Sequence, residues 1–222
     1  MQNLEKTLTQ VRKSIQAAVD EAHRNASEIS LLAVSKRKSA ELIAAAAGLG
    51  QQDFGENYAN ELEEKAQALS HLDLNWHFIG PIQSNKTGII AEHCSWVHSI
   101  DREKIARRLS AQRRGKPLNV LIQVNIDGSS TKAGCPPGDV KALTDCIEKL
   151  PNLALKGLMC IPDRESGSRV FQALKGLRDD LQQSSRSALT ELSMGMSQDM
   201  DEAIKYGSTW VRVGTAIFGE RS

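Results

Sequence analysis

The chain has 222 residues, of which 40% are hydrophobic and 25% are charged, and its formal net charge at pH 7 is +1. This length suffices for one large globular domain or two small ones. The near-zero charge gives no general reason to expect nucleic acid or an anionic membrane as a partner. Apolar runs all fall short of the roughly 20 residues that a membrane-spanning helix needs, and the N-terminus lacks an apolar signal segment. The expected compartment is therefore the cytoplasm.

The cysteines and histidines do not indicate a metal site. The four cysteines lack the spacing of metal ligands and suggest reduced thiols: Cys94, Cys135, Cys146 and Cys160. His71, His93 and His98 show no ligand grouping either. We interpret His77, which lies inside a predicted strand, as a hydrogen-bonded core residue, with phosphate contact as the minor alternative.

The first segment predicts a long amphipathic helix, because its apolar residues recur at helical spacing: Leu4, Leu8, Val11, Ile15, Val19 and Ala22. Short apolar runs then predict eight strands, over residues 31–35, 53–55, 76–80, 96–100, 120–126, 155–160, 191–194 and 210–213. Helical segments alternate with them, over residues 40–47, 57–69, 85–93, 101–113, 137–150, 166–183 and 197–206.

Capping residues support several of these helices. Ser39, Asp101 and Ser197 stand where N-caps belong, and Gly207 stands where a helix-ending glycine belongs. The alternation, with its short connections, predicts one domain over residues 1–222, a (β/α)8 TIM barrel with an additional N-terminal helix. A doubly wound open sheet is the structural alternative, since counting strands does not show closure. We interpret Glu56, and Glu61 to Glu64, as part of a helix surface.

The barrel prediction gives the candidate functional residues a common place. Active sites of such barrels lie at the C-terminal ends of the strands. The distinctive residues fall near those ends: Lys36, Asn57, Asn125, Met159, Ser197, Arg212, Gly214 and Thr215. If the barrel forms, these residues surround one cavity.

Lys36 and the last strand together suggest a class of ligand. Gly214 and Thr215 follow a strand directly, where free backbone N–H groups and a hydroxyl can bind an anion. A lysine amine, an arginine and a phosphate cradle are the parts that a pyridoxal phosphate (PLP) site needs. For either segment alone, a strand that ends in an exposed lysine or in a salt-bridged arginine is the simpler interpretation.

Several motifs spread over nearly the whole chain are specific in combination: Val34-Ser-Lys36, Phe54-Gly-Glu-Asn57, Trp76-His-Phe-Ile-Gly80, Gln83-Ser-Asn-Lys86, Gly157-Leu-Met159, Ser193-Met-Gly-Met-Ser197 and Val211-Arg-Val-Gly-Thr-Ala-Ile-Phe-Gly219. They resemble the pyridoxal phosphate homeostasis protein family, which is related to the barrel domain of alanine racemase. The family usually has Thr and Pro around its second lysine, whereas this chain has Lys36-Arg-Lys-Ser39.

The resemblance implies a single barrel that holds PLP as a Schiff base on Lys36. It also implies a role in intracellular PLP (vitamin B6) homeostasis and in supply of PLP to apoenzymes, with an influence on amino-acid pools and no established catalytic activity. Lys36 must be neutral when it attacks the cofactor aldehyde, and a nearby cation such as Arg212 would favour that form.

The resemblance also assigns the other contacts of the cofactor. Arg212 would face the pyridine nitrogen, and because a guanidinium is only a donor, it favours the unprotonated ring and argues against transamination. A structural ion pair with Glu191 or Asp199 is the alternative. The resemblance places the phosphate at Ser197, Gly214 and Thr215, whose alternative role is in caps and turns. Asn57 would bind the ring oxygen or cap the next helix, and Met159 would form a cavity wall.

Two functional classes remain: a PLP carrier without catalytic activity, and a small PLP-dependent amino-acid racemase or lyase. Alanine racemases use a catalytic tyrosine from an additional β domain. The only tyrosines here are Tyr58 and Tyr206, and the sequence stops shortly after the eighth strand. The carrier is therefore the favoured interpretation. Its expected state is a monomer, and its expected partners are PLP and PLP-dependent apoenzymes, without nucleic acid, membrane or metal.

Overall fold

The structure is a computed structural model that describes residues 2–129, 131–163 and 166–220. Eight parallel strands form a closed barrel in which each strand pairs with its neighbours in sequence. The last strand pairs with the first, from Ser30 opposite Trp210 to Ala33 opposite Val213. This pairing excludes the open sheet and confirms the TIM barrel. The strands are β1 (Ser30–Val34), β2 (Asp53–Glu56), β3 (Asn75–Phe78), β4 (Trp96–Ile100), β5 (Leu118–Gln123), β6 (Leu153–Met159), β7 (Glu191–Ser193) and β8 (Trp210–Val213).

An N-terminal helix precedes β1, and helices follow the strands. In the described residues they are α1 (Gln2–Glu21), α2 (Ala40–Gly48), α3 (Ala59–Ala68), α4 (Thr87–His93), α5 (Glu103–Gln112), α6 (Val140–Ile147), α7 (Gly167–Gln182), α8 (Met200–Lys205) and α9 (Thr215–Phe218). The α1 helix packs against α8 and α9. Its Thr7 hydroxyl donates a hydrogen bond of 2.8 Å to the carbonyl of Ile217, which fixes α1 beside the last strand.

The main apolar core lies between the strands and the surrounding helices. Outward residues of the strands, such as Phe54 on β2 and Val120 on β5, pack there against buried helix residues such as Leu62 and Phe171. The interior of the barrel is different, because it contains aromatic and polar side chains. The rings of Trp96 and Trp210 lie 5.4 Å apart. They belong to β4 and β8 on opposite sides of the barrel, so they meet through its interior.

One of the three predicted N-cap residues caps its helix, and the other two lie before the observed cap position. Ser39 is the N-cap of α2, as predicted, and accepts from the N–H of Leu42. Ser197 is not an N-cap, because Asp199 precedes α8 and its carboxylate accepts the N–H of Met196 at 2.6 Å. Asp101 is also displaced from the cap position, which Arg102 occupies.

The ends of β2 and β5 also correct the sequence analysis. Asn125 lies beyond β5, in a segment where its N–H pairs with the carbonyl of Cys135. Glu56 is the last residue of β2 and is fully buried, so its interpretation as helix surface is wrong.

None of the helices in the described ranges has both the length and the apolar character of a membrane-spanning segment.

Candidate functional site

The closed parallel barrel brings the predicted site residues to one end. All eight strands run in the same direction, so the segments that follow them emerge together. Lys36 and Asn57 follow β1 and β2, and Ser197 follows β7. Met159 ends β6. Arg212 lies in β8, and Gly214 and Thr215 directly follow that strand. We call this end, with the loops that follow the strands, the barrel mouth.

Lys36 lies in a tight turn at the mouth. The N–H of Lys38 donates to the carbonyl of Ser35 at 3.0 Å, and the N–H of Ser35 donates to the carbonyl of Gly55 at 3.0 Å. Lys36 is half-buried, and its amine has no hydrogen bond or ion pair with any described residue. Lys38 differs, because its ammonium donates to the carbonyls of Phe218, Gly219 and Glu220. Lys36 is therefore the lysine of this turn that is available for chemistry.

Asn57 lies directly beyond β2, beside the segment that follows β3. Its side-chain oxygen is buried and has no hydrogen-bond partner among the described residues. A Cβ on Gly80 would lie 2.3 Å from the carbonyl oxygen of Asn57, so only glycine allows the two loops to approach this closely. A buried amide oxygen without a partner is costly, and a bound ligand or water would satisfy it.

Arg212 is fixed inside the barrel by two hydrogen bonds. It is 4% exposed, and its guanidinium donates to the hydroxyl of Ser193 at 2.8 Å and to the carbonyl of Cys160 at 2.9 Å. In the described part of the chain it forms no ion pair, so the alternative of a structural pair with Glu191 or Asp199 is wrong. Burial lowers the pKa of Arg212 from its ordinary value. A guanidinium remains charged in this setting.

A chain of hydrogen bonds continues from Arg212 through the barrel interior. The Ser193 hydroxyl lies 2.8 Å from Nδ1 of His98, whose Nε2 lies 2.9 Å from Nδ1 of His77. The Nε2 of His77 lies 3.0 Å from a carboxylate oxygen of Asp53. Asp53 is the first residue of β2, so the chain runs from the N-terminal end of the barrel to the mouth.

The two ends of this chain determine its direction. The Asp53 carboxylate accepts, so His77 carries its proton on Nε2 and accepts at Nδ1. His98 then donates from Nε2 and accepts at Nδ1, which the Ser193 hydroxyl supplies. The Arg212 guanidinium can only donate, so its hydrogen bond to the Ser193 hydroxyl is the first of the chain. With both imidazoles neutral, each of the four bonds in this chain pairs one donor with one acceptor, and all four point from Arg212 towards Asp53.

Burial keeps both histidines neutral. His77 and His98 are completely buried. Burial lowers the pKa of His77, although Asp53 opposes the shift. Burial lowers the pKa of His98 further, and the charge of Arg212, together with that of His77 whenever His77 is protonated, acts in the same direction. The interpretation of His77 as a hydrogen-bonded core residue is confirmed.

Of the predicted phosphate residues, Ser197 lines a cavity of about 190 Å³ between α1 and the loops after β7 and β8. Ser197, Val213 and Ala216 contribute to its lining, so the segment around Gly214 and Thr215 reaches the same cavity as Ser197. A Cβ on Gly214 would lie 3.2 Å from the carbonyl oxygen of Val34, which is tight packing against β1. The sequence analysis missed the polar contribution of α1 to this lining, which consists of Thr7, Gln10 and Ser14.

Met159 is completely buried at the end of β6. Its role as a cavity wall stays a prediction.

Ser193 and His98 were not assigned to the site from the sequence, although their strands place alternate residues inside and outside the barrel. Because His77, His98 and Arg212 are polar residues in apolar strands, that alternation is the signal that would have suggested an internal network.

Comparisons with known proteins agree with this geometry. The family model of the alanine racemase N-terminal domain matches residues 10–222. A pyridoxal phosphate homeostasis protein of Pseudomonas aeruginosa is 49% identical over 226 residues, which cover 99% of this chain and 95% of that protein.

Two solved structures are similar over nearly their whole length. PipY of Synechococcus elongatus, solved with PLP bound, has a TM-score of 0.86 and 33% identity, and the match covers 97% of this chain and 100% of PipY. A protein of unknown function from Bifidobacterium adolescentis has a TM-score of 0.91 and 33% identity, covering 98% of this chain and 95% of that one. The chain therefore belongs to the pyridoxal phosphate homeostasis protein family, with the barrel domain of alanine racemase.

Proposed function

We propose that this protein binds PLP at the barrel mouth through Lys36 and acts as a carrier in intracellular PLP homeostasis. The observation that carries the proposal is the arrangement at one end of the barrel of three features. They are a lysine amine without a partner among the described residues, a buried arginine, and the loops after β7 and β8, which carry Ser197 and the turn of Gly214 and Thr215. The names of the relatives and the PLP bound to PipY support the same ligand.

The residues present fit the cofactor. The buried side-chain oxygen of Asn57 lacks a partner among the described residues, as expected for a contact that a ligand completes. When bound, the cofactor would supply an aldehyde that condenses with the Lys36 amine to a Schiff base. Lys36 is suited to this because no described group engages its amine. We propose that Asn57 would bind the ring oxygen and that Met159 would form a wall of the site.

Arg212 would orient the cofactor at its ring nitrogen. Ser193 and the Cys160 carbonyl fix the guanidinium, so its charge lies in one position. A permanent donor at the ring nitrogen disfavours ring protonation, which weakens the electron sink that transamination requires. We propose that Ser197, Gly214 and Thr215 bind the phosphate through hydroxyl and backbone N–H groups.

We propose that the protein does not catalyse turnover of amino acids. Tyr58 is 45% exposed, and its hydroxyl lies 3.5 Å from the guanidinium of Arg37. Tyr206 follows α8 and therefore lies towards the opposite end of the barrel. Tyr206 therefore does not face Lys36, and Arg37 engages the hydroxyl and the ring of Tyr58. Carriage and release of PLP to apoenzymes, with indirect effects on amino-acid pools, fit this arrangement better than racemase or lyase chemistry.

The first experiment is an absorption spectrum of the purified protein with added PLP, followed by borohydride reduction and peptide mass spectrometry. We expect a visible band that reduction removes, and a phosphopyridoxyl mass on Lys36. Lys36→Ala should lose the adduct and keep the fold. Lys38→Ala is the matched control, since Lys38 belongs to the same turn, and it should retain the adduct. An undiminished adduct in Lys36→Ala would refute the assignment.

A second experiment separates the carrier from an enzyme. The loaded protein is incubated with L-alanine or D-alanine in heavy water, and exchange of the Cα hydrogen is followed by NMR. We expect no exchange beyond that of free PLP. In a separate assay, a PLP-dependent apoenzyme mixed with the loaded protein should regain its own enzymatic activity. Repeated Cα exchange per protein molecule would instead establish a racemase-like activity.

A further inference from the structure

A buried ion cluster lies beside the turn that contains Lys36. Lys65 of α3 is 7% exposed, and its ammonium donates to three acceptors. These are a carboxylate oxygen of Glu56 at 2.7 Å, a carboxylate oxygen of Glu61 at 3.0 Å and the carbonyl of Ser35 at 2.9 Å. Sequence analysis placed both acids on an exposed helix surface, so this cluster was not expected.

The cluster holds the residues on both sides of Lys36. On the preceding side, Lys65 binds the carbonyl of Ser35, and the hydroxyl of Ser35 donates to Glu56 at 2.7 Å. On the following side, the N–H of Arg37 donates to Glu61 at 2.7 Å. The backbone immediately before and after Lys36 is therefore bound to one rigid group of side chains, while the amine of Lys36 itself has no described partner.

The backbone at Arg37 explains why such support is needed. Arg37 has a φ of 59°, a left-handed conformation that residues with a Cβ rarely adopt. Conformations of this kind persist when surrounding contacts hold them, and they concentrate at functional sites. The hydrogen bond to Glu61 and the position of the Arg37 guanidinium over the Tyr58 ring, 5.7 Å from its centroid, supply that hold.

The charges of the cluster favour a positioning role over a stabilising one. Burial raises the pKa of Glu56 although Lys65 opposes the shift. Partial burial acts against ionisation of Glu61 too, but the Arg37 N–H and Lys65 outweigh it, so the pKa of Glu61 is lowered. Buried ion pairs contribute little net stability compared with apolar packing of similar volume. Their directional bonds do fix geometry, which is the property that a reactive turn requires.

We propose that Lys65, together with Glu56 and Glu61, is a positioning group that presents the Lys36 amine to the barrel mouth. This inference rests on the proposed attachment of PLP to Lys36. The three residues are not among the proposed contacts of the cofactor, and they act through Ser35 and the backbone of Arg37. Their loss should slow formation of the covalent bond at Lys36 more than it weakens binding of the cofactor itself.

The test uses two ligands on the full-length protein. The rate of attachment of PLP to Lys36 is measured by absorbance and by borohydride trapping. Affinity for the site is measured with pyridoxine 5′-phosphate, which has an alcohol in place of the aldehyde and cannot form the bond. Glu61→Ala should slow attachment by about tenfold or more, as small displacements of reacting groups do, while affinity for the alcohol stays within about twofold of wild type.

Matched variants make the result specific. Glu64→Ala is the control, because Glu64 lies on the same helix and has no described hydrogen bond or ion pair, and it should behave as wild type. Glu61→Gln keeps an acceptor for the Arg37 N–H and should give an intermediate rate. The double variant Glu56→Gln/Lys65→Met removes the buried charges at similar volume and should slow attachment as Glu61→Ala does.

The outcomes separate this inference from the proposed function. Attachment at the wild-type rate in both Glu61→Ala and the double variant would overturn the positioning role while leaving Lys36 as the attachment site. An equal loss of affinity for the alcohol and of attachment rate would show a general structural effect and would also overturn it. If wild-type protein carries no adduct on Lys36, the proposed function itself is wrong.

Discussion

Acidification should destabilise this protein through its two buried histidines. His77 and His98 are completely buried and hydrogen-bonded to each other at 2.9 Å, in an arrangement that is fully satisfied only when both are neutral. Burial lowers the pKa of both groups in the folded protein. The unfolded chain therefore binds more protons than the folded one below the ordinary histidine pKa. The stabilising contribution is present above about pH 6.5 and is lost as the pH falls.

The magnitude follows from the linkage relation. A histidine with an unfolded pKa of about 6.5 that stays neutral in the folded state loses about 2 kcal/mol of stability between pH 7 and pH 5. The pair can therefore cost up to about 4 kcal/mol, a large part of the 5–15 kcal/mol that is typical of whole proteins. Glu56 works in the opposite direction, because its raised pKa adds stability in acid that is lost as the pH rises.

The assay is urea unfolding at pH 7 and pH 5 of wild type and His98→Gln. The variant should lose about half as much stability between the two pH values, and the contribution of Glu56 cancels in this comparison. His71→Gln, at an exposed position, controls for the loss of an imidazole as such. Equal losses in wild type and His98→Gln, or an imidazolium signal of His98 in folded protein at pH 5.5, would refute the reasoning.

Three other predictions concern the same structure. Nitrogen NMR at pH 7 should find His77 and His98 both protonated on Nε2, and a proton on Nδ1 of either would contradict the direction of the hydrogen-bond chain. Gly80→Ala should destabilise the protein by about 1–3 kcal/mol and weaken PLP binding, because the new Cβ meets the Asn57 carbonyl. Gly48→Ala is the control, since a Cβ at Gly48 on α2 meets no atom within 4 Å and should be tolerated. Thermal unfolding of the two variants tests this difference. All four cysteines are buried, and burial raises the pKa of Cys135 and Cys160 to about 12. A disulfide reagent should therefore label all four thiols rapidly in unfolded protein and label the native protein much more slowly. Fast labelling of the native protein would contradict the burial of these thiols.

The sequence by itself determined the alternation of strands and helices and the residues at the strand ends. Period-two and helical hydrophobic patterns are local, so β4 and β8 were predicted with their observed limits. The common position of Lys36, Asn57 and Arg212 then followed from the rule that barrel sites lie at the C-terminal strand ends. Motif resemblance indicated the family, which the comparisons confirm.

Only the tertiary structure decided closure of the sheet and the partners of the buried polar groups. Closure depends on the pairing of β1 with β8, which lie about as far apart in sequence as the chain allows. The hydrogen-bond chain from Arg212 to Asp53 joins residues of five strands, and the Lys65 cluster joins the ends of β1 and β2 to α3. Glu56 is buried because the ammonium of Lys65 lies beside its carboxylate in the folded protein. A charge is buried when a partner in space compensates for its lost hydration, and local sequence does not contain that partner.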